Sequence, residues 1–213
     1  DSDENQTRNF INQVRIMSKL DFPSIIKFIG CGITEGKGRQ NRVILLELAA
    51  NGTLGNAIKQ ERKNNAPTDW TDTKKHIILY GIASGMAYMH SLDYVFRNLS
   101  QENILLDEYL FPKICDFSLA AKSDESLSDF VGTPVYMAPE VIEGEQYVKA
   151  SDVYSFSMIM YELLTNEVPF KNITVFKLQS MIVSGNRPDI PEYLPDVYKN
   201  LIERCWAQDP NNR

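Results

Sequence analysis

A helix that is apolar on most of its sides is the feature of this sequence that most restricts its fold. Within residues 151–165, large apolar side chains recur at helical spacing, at Val153, Phe156, Met160 and Leu163. A helix of this kind is normally buried, so other elements must surround it. The sequence therefore predicts a sizeable core, for which a chain of 213 residues is ample.

The other predicted elements do not alternate regularly between helix and strand. Periodicity and capping signals favour helices over residues 8–20, 53–62, 71–91, 173–183 and 194–206. Short apolar runs favour strands over residues 25–30, 43–48, 94–96, 103–106 and 112–115, the first two joined as a hairpin by a polar turn over 32–42. This order argues against a doubly wound sheet, because such a sheet requires regular alternation.

Charge and cysteine content exclude several classes of function. The 22 Lys and Arg against 28 Asp and Glu give a net charge of −6, which provides no overall attraction to nucleic acid or anionic lipid. No apolar run is long enough for a membrane span, and the polar first residues predict no signal peptide. Cys31, Cys115 and Cys205 have no metal-binding or redox spacing. We therefore expect reduced thiols and a cytoplasmic location.

Several motifs, in the same order as in the family, resemble those of protein kinase catalytic domains. FRNLSQEN at 96–103 resembles the catalytic loop, usually HRDLKPEN, and DFS at 116–118 resembles DFG. APE at 138–140 matches the family motif, and SDVYSF at 151–156 resembles the start of its buried helix. Further similar positions near the end are Cys205, Trp206, Asp209, Pro210 and Arg213. The residues of these motifs are most similar to those of Ser/Thr-specific members of the tyrosine-kinase-like group.

The resemblance implies an α+β, bilobal protein-kinase-like fold with a truncated small lobe and a mostly helical large lobe. Residues 1–213 would form a single domain that is incomplete at both ends. Residues 1–48 would be a remnant of the small lobe, and residues 49–213 the hinge and the large lobe. The glycine-rich strand pair and the lysine-bearing strand of the family would precede this segment.

The same resemblance assigns a nucleotide site and a metal site. Leu46 would be the gatekeeper, the backbone of Glu47 and Ala49 would meet the adenine edge, and Leu105 would lie under the base. Asn103 and Asp116 occupy the two metal-ligand positions, and oxygen ligands of this kind suit Mg²⁺. The expected cofactors are therefore ATP and Mg²⁺. Read without the resemblance, Asn103 is a turn residue and Asp116 ends a strand.

The candidate catalytic residues are Arg97, Asn98, Asn103 and Asp116, and one of them departs from the family at the decisive position. Asn98 stands where the family has its catalytic Asp, and an amide cannot accept the proton of a substrate hydroxyl. Ser100 replaces the catalytic-loop Lys, and Ser118 replaces the Gly of DFG. Arg97 is retained.

Other positions are assigned regulatory or scaffold roles. Gln13 stands where the regulatory helix of the small lobe normally carries a Glu. Ser123, Ser126 and Ser128 are candidate phosphorylation sites whose phosphate Arg97 would contact, although the sequence favours a solvated Ser/Asp loop as their explanation. The resemblance predicts an apolar column of Met17, Phe28, Phe96 and Phe117. It also predicts that Asp152 holds the catalytic loop and that Glu140 pairs with Arg213.

The sequence leaves three functions open. The one that it favours is a pseudokinase, acting as an interaction or allosteric module with or without bound nucleotide, and the next is a weakly active Ser/Thr protein kinase. Its partner would be a protein substrate or a protein ligand, neither of which the sequence identifies. A non-kinase binding domain with coincidental motifs is a third alternative.

Overall fold

A computed structural model describes residues 2–36, 39–125 and 132–213, with side chains described for 6–34, 41–125 and 132–213. Helix α1 (Ser2–Met17) is followed by strands β1 (Phe28–Gly36) and β2 (Arg39–Leu46). The two strands are antiparallel, with Phe28 opposite Leu46 and an irregularity between Phe28 and Gly30. These elements form the first, smaller part of the described chain.

The hairpin differs from the sequence-based prediction. A polar turn was expected over residues 32–42, but β1 continues to Gly36 and β2 begins at Arg39. Ile33 and Thr34 lie opposite Arg42 and Asn41 within the ladder. β-Branched residues favour strands, and polar partners are tolerated where both faces are largely exposed, so polarity alone gave a turn that is too long.

The remainder is mostly helical and confirms the predicted α+β class. Its helices are α2 (Leu54–Arg62), α3 (Asp72–Ser91), α4 (Pro139–Ile142), α5 (Lys149–Thr165), α6 (Val175–Val183) and α7 (Asp196–Cys205). Strand β3 (Tyr94–Val95) pairs with β6 (Ala121–Lys122), and β4 (Ile104–Leu106) pairs with β5 (Pro112–Ile114). Strand β6 lies outside the segments for which the sequence predicted strands.

Helix α5 is buried, as its apolar pattern predicts. Its fully enclosed side chains include Tyr154, Met158, Ile159 and Leu163. Helices α3 and α7 and strand β3 pack against it. Helix α5 also carries polar side chains into this core, and each of them must find a partner there: Ser151, Asp152, Ser155, Ser157, Glu162 and Thr165.

Close packing of α3 against β5 depends on a glycine. A Cβ atom placed at Gly81 would overlap the ring of Pro112, which has little freedom to move away. Gly81 therefore lets α3 approach β5, which is the strand that leads into Asp116.

Candidate active site

Asp152, near the start of α5, holds the backbone of the loop that follows β3. Its Oδ2 accepts a hydrogen bond from the Phe96 amide at 2.9 Å, and its Oδ1 accepts one from the Arg97 amide at 3.0 Å. All three residues are buried. Arg97 has a φ of 66°, in the left-handed region that bulky residues rarely adopt. The buried helix thus stabilises an unfavourable backbone conformation at the loop.

Two further side chains complete the hydrogen bonding of Asp152. The Tyr147 hydroxyl donates to Oδ1 at 2.9 Å, and His90 Nε2 lies 2.9 Å from Oδ2. Burial, reinforced by the nearby Asp152 carboxylate, raises the pKa of the Tyr147 phenol well above its ordinary value. Tyr147 therefore remains a proton donor to Asp152 throughout the physiological pH range.

Asn103 connects the loop to the end of β5. Its Nδ2 donates to the Asn98 carbonyl at 2.8 Å, which leaves Oδ1 as the atom available to a metal ion. Its backbone carbonyl accepts a hydrogen bond from the Cys115 amide at 2.9 Å. Asp116 follows Cys115 directly, so these contacts bring the two predicted metal ligands to the same end of the β4–β5 pair.

The side chain of Asp116 faces the loop. Asn98 Nδ2 donates to Asp116 Oδ2 at 3.3 Å, and Ser118 Oγ donates to Asp116 Oδ1 at 2.7 Å. Asp116, like Arg97, has a positive φ, here 59°. The structure therefore brings Asn98, Asn103 and Asp116 together, as the sequence led us to expect.

Next to Asp116, an aromatic pair closes the base of the site. The rings of Phe96 and Phe117 are edge to face with centroids 5.2 Å apart, and both side chains are fully buried. Met17 is buried in the same core, and Phe28 packs against it. These are the four side chains of the predicted apolar column.

The predicted nucleotide-contacting residues lie where β2 leads into the large part of the chain. Leu46 ends β2, and the Glu47 amide donates to the Lys27 carbonyl at 3.0 Å. Ala49 and Leu105 are both half-buried. The segment after Ala49 pairs with β4, since the Asn51 amide donates to the Leu106 carbonyl at 3.0 Å and the Leu106 amide to the Gly52 carbonyl at 2.8 Å. This pairing brings Leu105 close to the connecting segment.

The predicted regulatory residues are only partly described. Gln13 is half-buried on α1, and the Ser123 amide donates to the Asp93 carbonyl at 2.9 Å. Ser126 and Ser128 lie outside the described residues. Arg97, the proposed phosphate contact, is buried with its guanidinium 5.9 Å from the centre of the Tyr147 ring.

One contact between α1 and the site was missed by sequence reasoning. Asn12 Nδ2 donates to the Ala120 carbonyl at 2.9 Å and so connects α1 to the segment that follows Asp116. The sequence drew attention to Gln13, the next residue, because of the family pattern. Only the tertiary arrangement shows that Asn12 faces this segment.

The predicted ion pair between Glu140 and Arg213 is present. Arg213 Nη1 and Nη2 donate to Glu140 Oε1 and Oε2 at 2.7 and 2.8 Å, a two-pronged geometry typical of strong pairs. Ser151 Oγ also donates to Glu140 at 2.7 Å. The segment 138–140 is thus fixed to the start of α5. Nearby Gly132, at φ 113°, lies against the Arg97 carbonyl, so a side chain there would be strained.

The donor set fits a hard divalent cation. Asn103 Oδ1 and the Asp116 carboxylate are oxygen ligands of the kind that Mg²⁺ prefers. Among the residues that the structure describes there is no cluster of three or more His, Cys, Asp or Glu side chains suited to a metal. A cation at Asn103 and Asp116 would therefore need water or a phosphate group to complete its coordination.

The fold and this arrangement define a protein kinase catalytic domain. A loop held from a buried helix faces an aspartate that follows a short strand, beside a connection between two parts of the chain. The model of the protein tyrosine and serine/threonine kinase family matches residues 1–213. The chain belongs to this family.

Three proteins that are similar to this chain carry serine/threonine-protein kinase names. One, provisionally described as a serine/threonine-protein kinase/receptor of Acanthamoeba polyphaga mimivirus, is 35% identical over 99% of this chain and 12% of its own length. A probable serine/threonine-protein kinase of Dictyostelium discoideum is 32% identical over 96% of this chain and 15% of its own length. An RGS domain-containing serine/threonine-protein kinase A of Dictyostelium discoideum is 31% identical over 96% and 17%. The chain spans less than a fifth of the length of each.

Across the helices that the structure describes, none combines the length and the apolar character that crossing a bilayer requires.

Cys115 provides a test of the site's local environment. Burial and the neighbouring Asp116 raise the pKa of its thiol to about 12, so only a minute fraction is thiolate at neutral pH. Cys31 is exposed. We expect iodoacetamide to modify Cys31 well before Cys115 at pH 7.5, and Cys115 labelling to rise about tenfold per pH unit while its thiolate fraction grows. Peptide mass spectrometry of the folded chain measures both rates. Equal rates for the two thiols would contradict the burial of Cys115.

Proposed function

We propose that this chain is a pseudokinase domain of the tyrosine-kinase-like group, Ser/Thr type, that works in signal transduction as an interaction or allosteric module. The observation that carries the proposal is the place of Asn98. Its amide lies where the family has its catalytic carboxylate, and its Nδ2 donates to Asp116.

Proton transfer is the step that this arrangement cannot support. An amide nitrogen has no basic lone pair near neutral pH, so Asn98 cannot take the proton from an attacking hydroxyl. General-base catalysis typically contributes about 10²–10⁴-fold to a rate. Its loss would leave slow transfer at most.

Nucleotide binding is part of the proposal. Leu46, Glu47, Ala49 and Leu105 would surround the adenine, and Asn103 with Asp116 would hold Mg²⁺ on the phosphates. When bound, Mg²⁺ would neutralise phosphate charge. The chain's own residues would bind and orient the nucleotide and the ion. Asn103 is held by its contacts with Asn98 and Cys115. Asp116 is held by its contacts with Asn98 and Ser118.

A more complete small lobe would strengthen such a site. We propose that residues 1–48 belong to a small lobe and residues 49–213 to the hinge and large lobe. The hairpin supports this division, because Val43 and Leu45 on β2 remain 40% and 60% exposed. Further elements of a small lobe, packed on this face of the hairpin, would cover these apolar side chains.

The partner is proposed to be a protein. A cavity of about 530 Å³ lies beside the loop, lined by Ser100, Thr133, Tyr136, Phe170 and Leu178 among others. Its mixed apolar and polar lining suits side chains of a protein ligand better than nucleic acid, which the net charge also disfavours.

Free Cys31, Cys115 and Cys205 support a reducing, cytoplasmic setting.

A weakly active Ser/Thr kinase is the second candidate. What favours it is the survival of Asn103 and Asp116 together with the Asp152 contacts that shape the loop. In that case Asn98 would orient the substrate hydroxyl by a hydrogen bond, without removing its proton.

Phosphoryl transfer separates the two candidates. The complete protein that carries this domain is incubated with γ-labelled ATP, Mg²⁺ and a generic protein substrate, beside its Asp116→Ala and Asn98→Asp variants. We expect wild-type transfer to equal the Asp116→Ala background. Wild-type transfer that Asp116→Ala abolishes would contradict the pseudokinase proposal. Absence of phosphoryl transfer by both the wild type and Asn98→Asp would contradict the weakly active alternative.

A further inference from the structure

Two departures from the family pattern meet at one carboxylate. Asn98 replaces the catalytic Asp and Ser118 replaces the Gly of DFG, and these positions are 20 residues apart in the sequence. In the structure their side chains donate to different oxygens of Asp116. Asn98 Nδ2 lies 3.3 Å from Oδ2, and Ser118 Oγ lies 2.7 Å from Oδ1. Neither family residue could make its contact, because an ionised Asp is no donor and Gly has no side chain.

The two contacts orient the Asp116 carboxylate, as a bound divalent cation would. Hydrogen bonds to an ionised group are stronger than neutral ones, and the short bond from Ser118 Oγ is of this kind. The Ser118 amide adds a longer contact to the same oxygen at 3.3 Å. Both oxygens of Asp116 are therefore oriented by donors that belong to the chain.

We propose that Asn98 and Ser118 are a pair of positioning residues that hold Asp116 without a divalent cation, so that the chain binds an adenine nucleotide with little dependence on Mg²⁺. The nucleotide part rests on the proposed function, whereas the positioning of Asp116 does not. The pair leaves lone pairs on both oxygens, so Mg²⁺ remains able to bind but is no longer required.

With the family residues at these two positions, nucleotide binding would depend strongly on Mg²⁺. With Asp at 98, two carboxylates would face each other across about the distance that Asn98 and Asp116 now share, and their repulsion is strong where solvent is partly excluded. With Gly at 118, the short donor to Oδ1 would disappear. A divalent cation would then be needed to hold the carboxylates together and to offset the charge of nucleotide phosphates.

The first test uses metal alone. Melting temperatures of the complete protein are measured in excess EDTA and in millimolar MgCl₂, without nucleotide. We expect the wild type to differ by less than about 1 °C, and an Asn98→Asp, Ser118→Gly double variant to gain at least about 3 °C from Mg²⁺. Asn200→Asp, which adds the same charge on the exposed face of α7, is the matched control and should gain nothing. An equal Mg²⁺ gain in wild type and double variant overturns the proposal, as does no gain in the double variant.

A milder variant covers the case in which the double variant does not fold. Ser118→Ala removes only the Oγ donor and leaves the backbone freedom of the position nearly unchanged. We expect it to show a Mg²⁺ gain in the same direction. A Ser118→Ala protein with the same melting temperature in EDTA and in MgCl₂ overturns the role of Ser118.

The second test adds ADP, with its affinity measured by titration calorimetry in EDTA and in MgCl₂. We expect the wild-type dissociation constants to agree within about threefold, and those of the double variant to differ by at least about tenfold, as loss of a charged hydrogen bond predicts. A wild type that binds ADP only with Mg²⁺ overturns the proposal. ADP binding by neither protein contradicts the proposed nucleotide site, while the metal-alone melting curves still decide the positioning of Asp116.

Discussion

Replacing Arg213 by alanine is expected to destabilise the domain by about 3–5 kcal/mol, the usual cost of breaking a buried pair from one side. The side chains of Arg213 and Glu140 are only 0% and 5% exposed, and two hydrogen bonds of 2.7 and 2.8 Å join them. Without Arg213, the Glu140 carboxylate would keep Ser151 Oγ as its donor but lose its countercharge. Removing the charge from the remaining partner should therefore recover part of the loss.

Urea unfolding of the wild type, Arg213→Ala and the double variant Arg213→Ala, Glu140→Gln measures these effects. The matched control is Lys59→Ala, which breaks a pair with Glu102 at a similar distance of 2.8 Å but with side chains 53% and 52% exposed. We expect this exposed pair to contribute no more than about 1 kcal/mol. If Arg213→Ala proved as mild as Lys59→Ala, the pair would not hold the 138–140 segment as we infer.

The parts of the fold that depend on local pattern could be predicted from the sequence. Residues 151–165 are apolar at helical spacing and are buried as α5. A capping signal helped to predict a helix that begins near residue 53, and the Thr53 side chain does accept a hydrogen bond from the Asn56 amide at 3.1 Å. The length of the hairpin strands could not be predicted, because exposed strands tolerate polar residues and leave no hydrophobic alternation to read.

The site shows a similar division. The resemblance to kinase motifs implied that Asn98, Asn103 and Asp116 would share one site, and hydrogen bonds do connect them. The sequence did not indicate that Ser118 would donate to Asp116, since the choice of partner depends on the backbone conformation around φ 59° at Asp116. Likewise, the contact of Asn12 with Ala120 joins residues 108 positions apart, and no local pattern encodes it.

The second large effect is expected at Asp152, whose loss should unfold the loop before it changes the rest of the domain. Asp152→Ala leaves the buried amides of Phe96 and Arg97 without their acceptor, and each unsatisfied group costs about 1–3 kcal/mol. The Tyr147 hydroxyl and His90 also lose their shared partner. We therefore expect a loss of at least about 3 kcal/mol in the free energy of unfolding.

Asp152→Asn separates hydrogen bonding from volume. The amide is nearly the same size as the carboxylate, but it replaces one acceptor oxygen by an NH₂ group that would face a backbone amide or the Tyr147 hydroxyl. Hydrogen exchange reports the result directly, since the Phe96 and Arg97 amides should be protected in the wild type and exchange much faster in Asp152→Asn. Asp93→Ala, which removes an exposed carboxylate paired with Lys149, is the control and should leave that protection unchanged. Unchanged protection in Asp152→Asn would mean that the loop holds its left-handed turn at Arg97 without α5. The positions of Asn98 and Asn103 would then have to be explained by β4 and β5 alone.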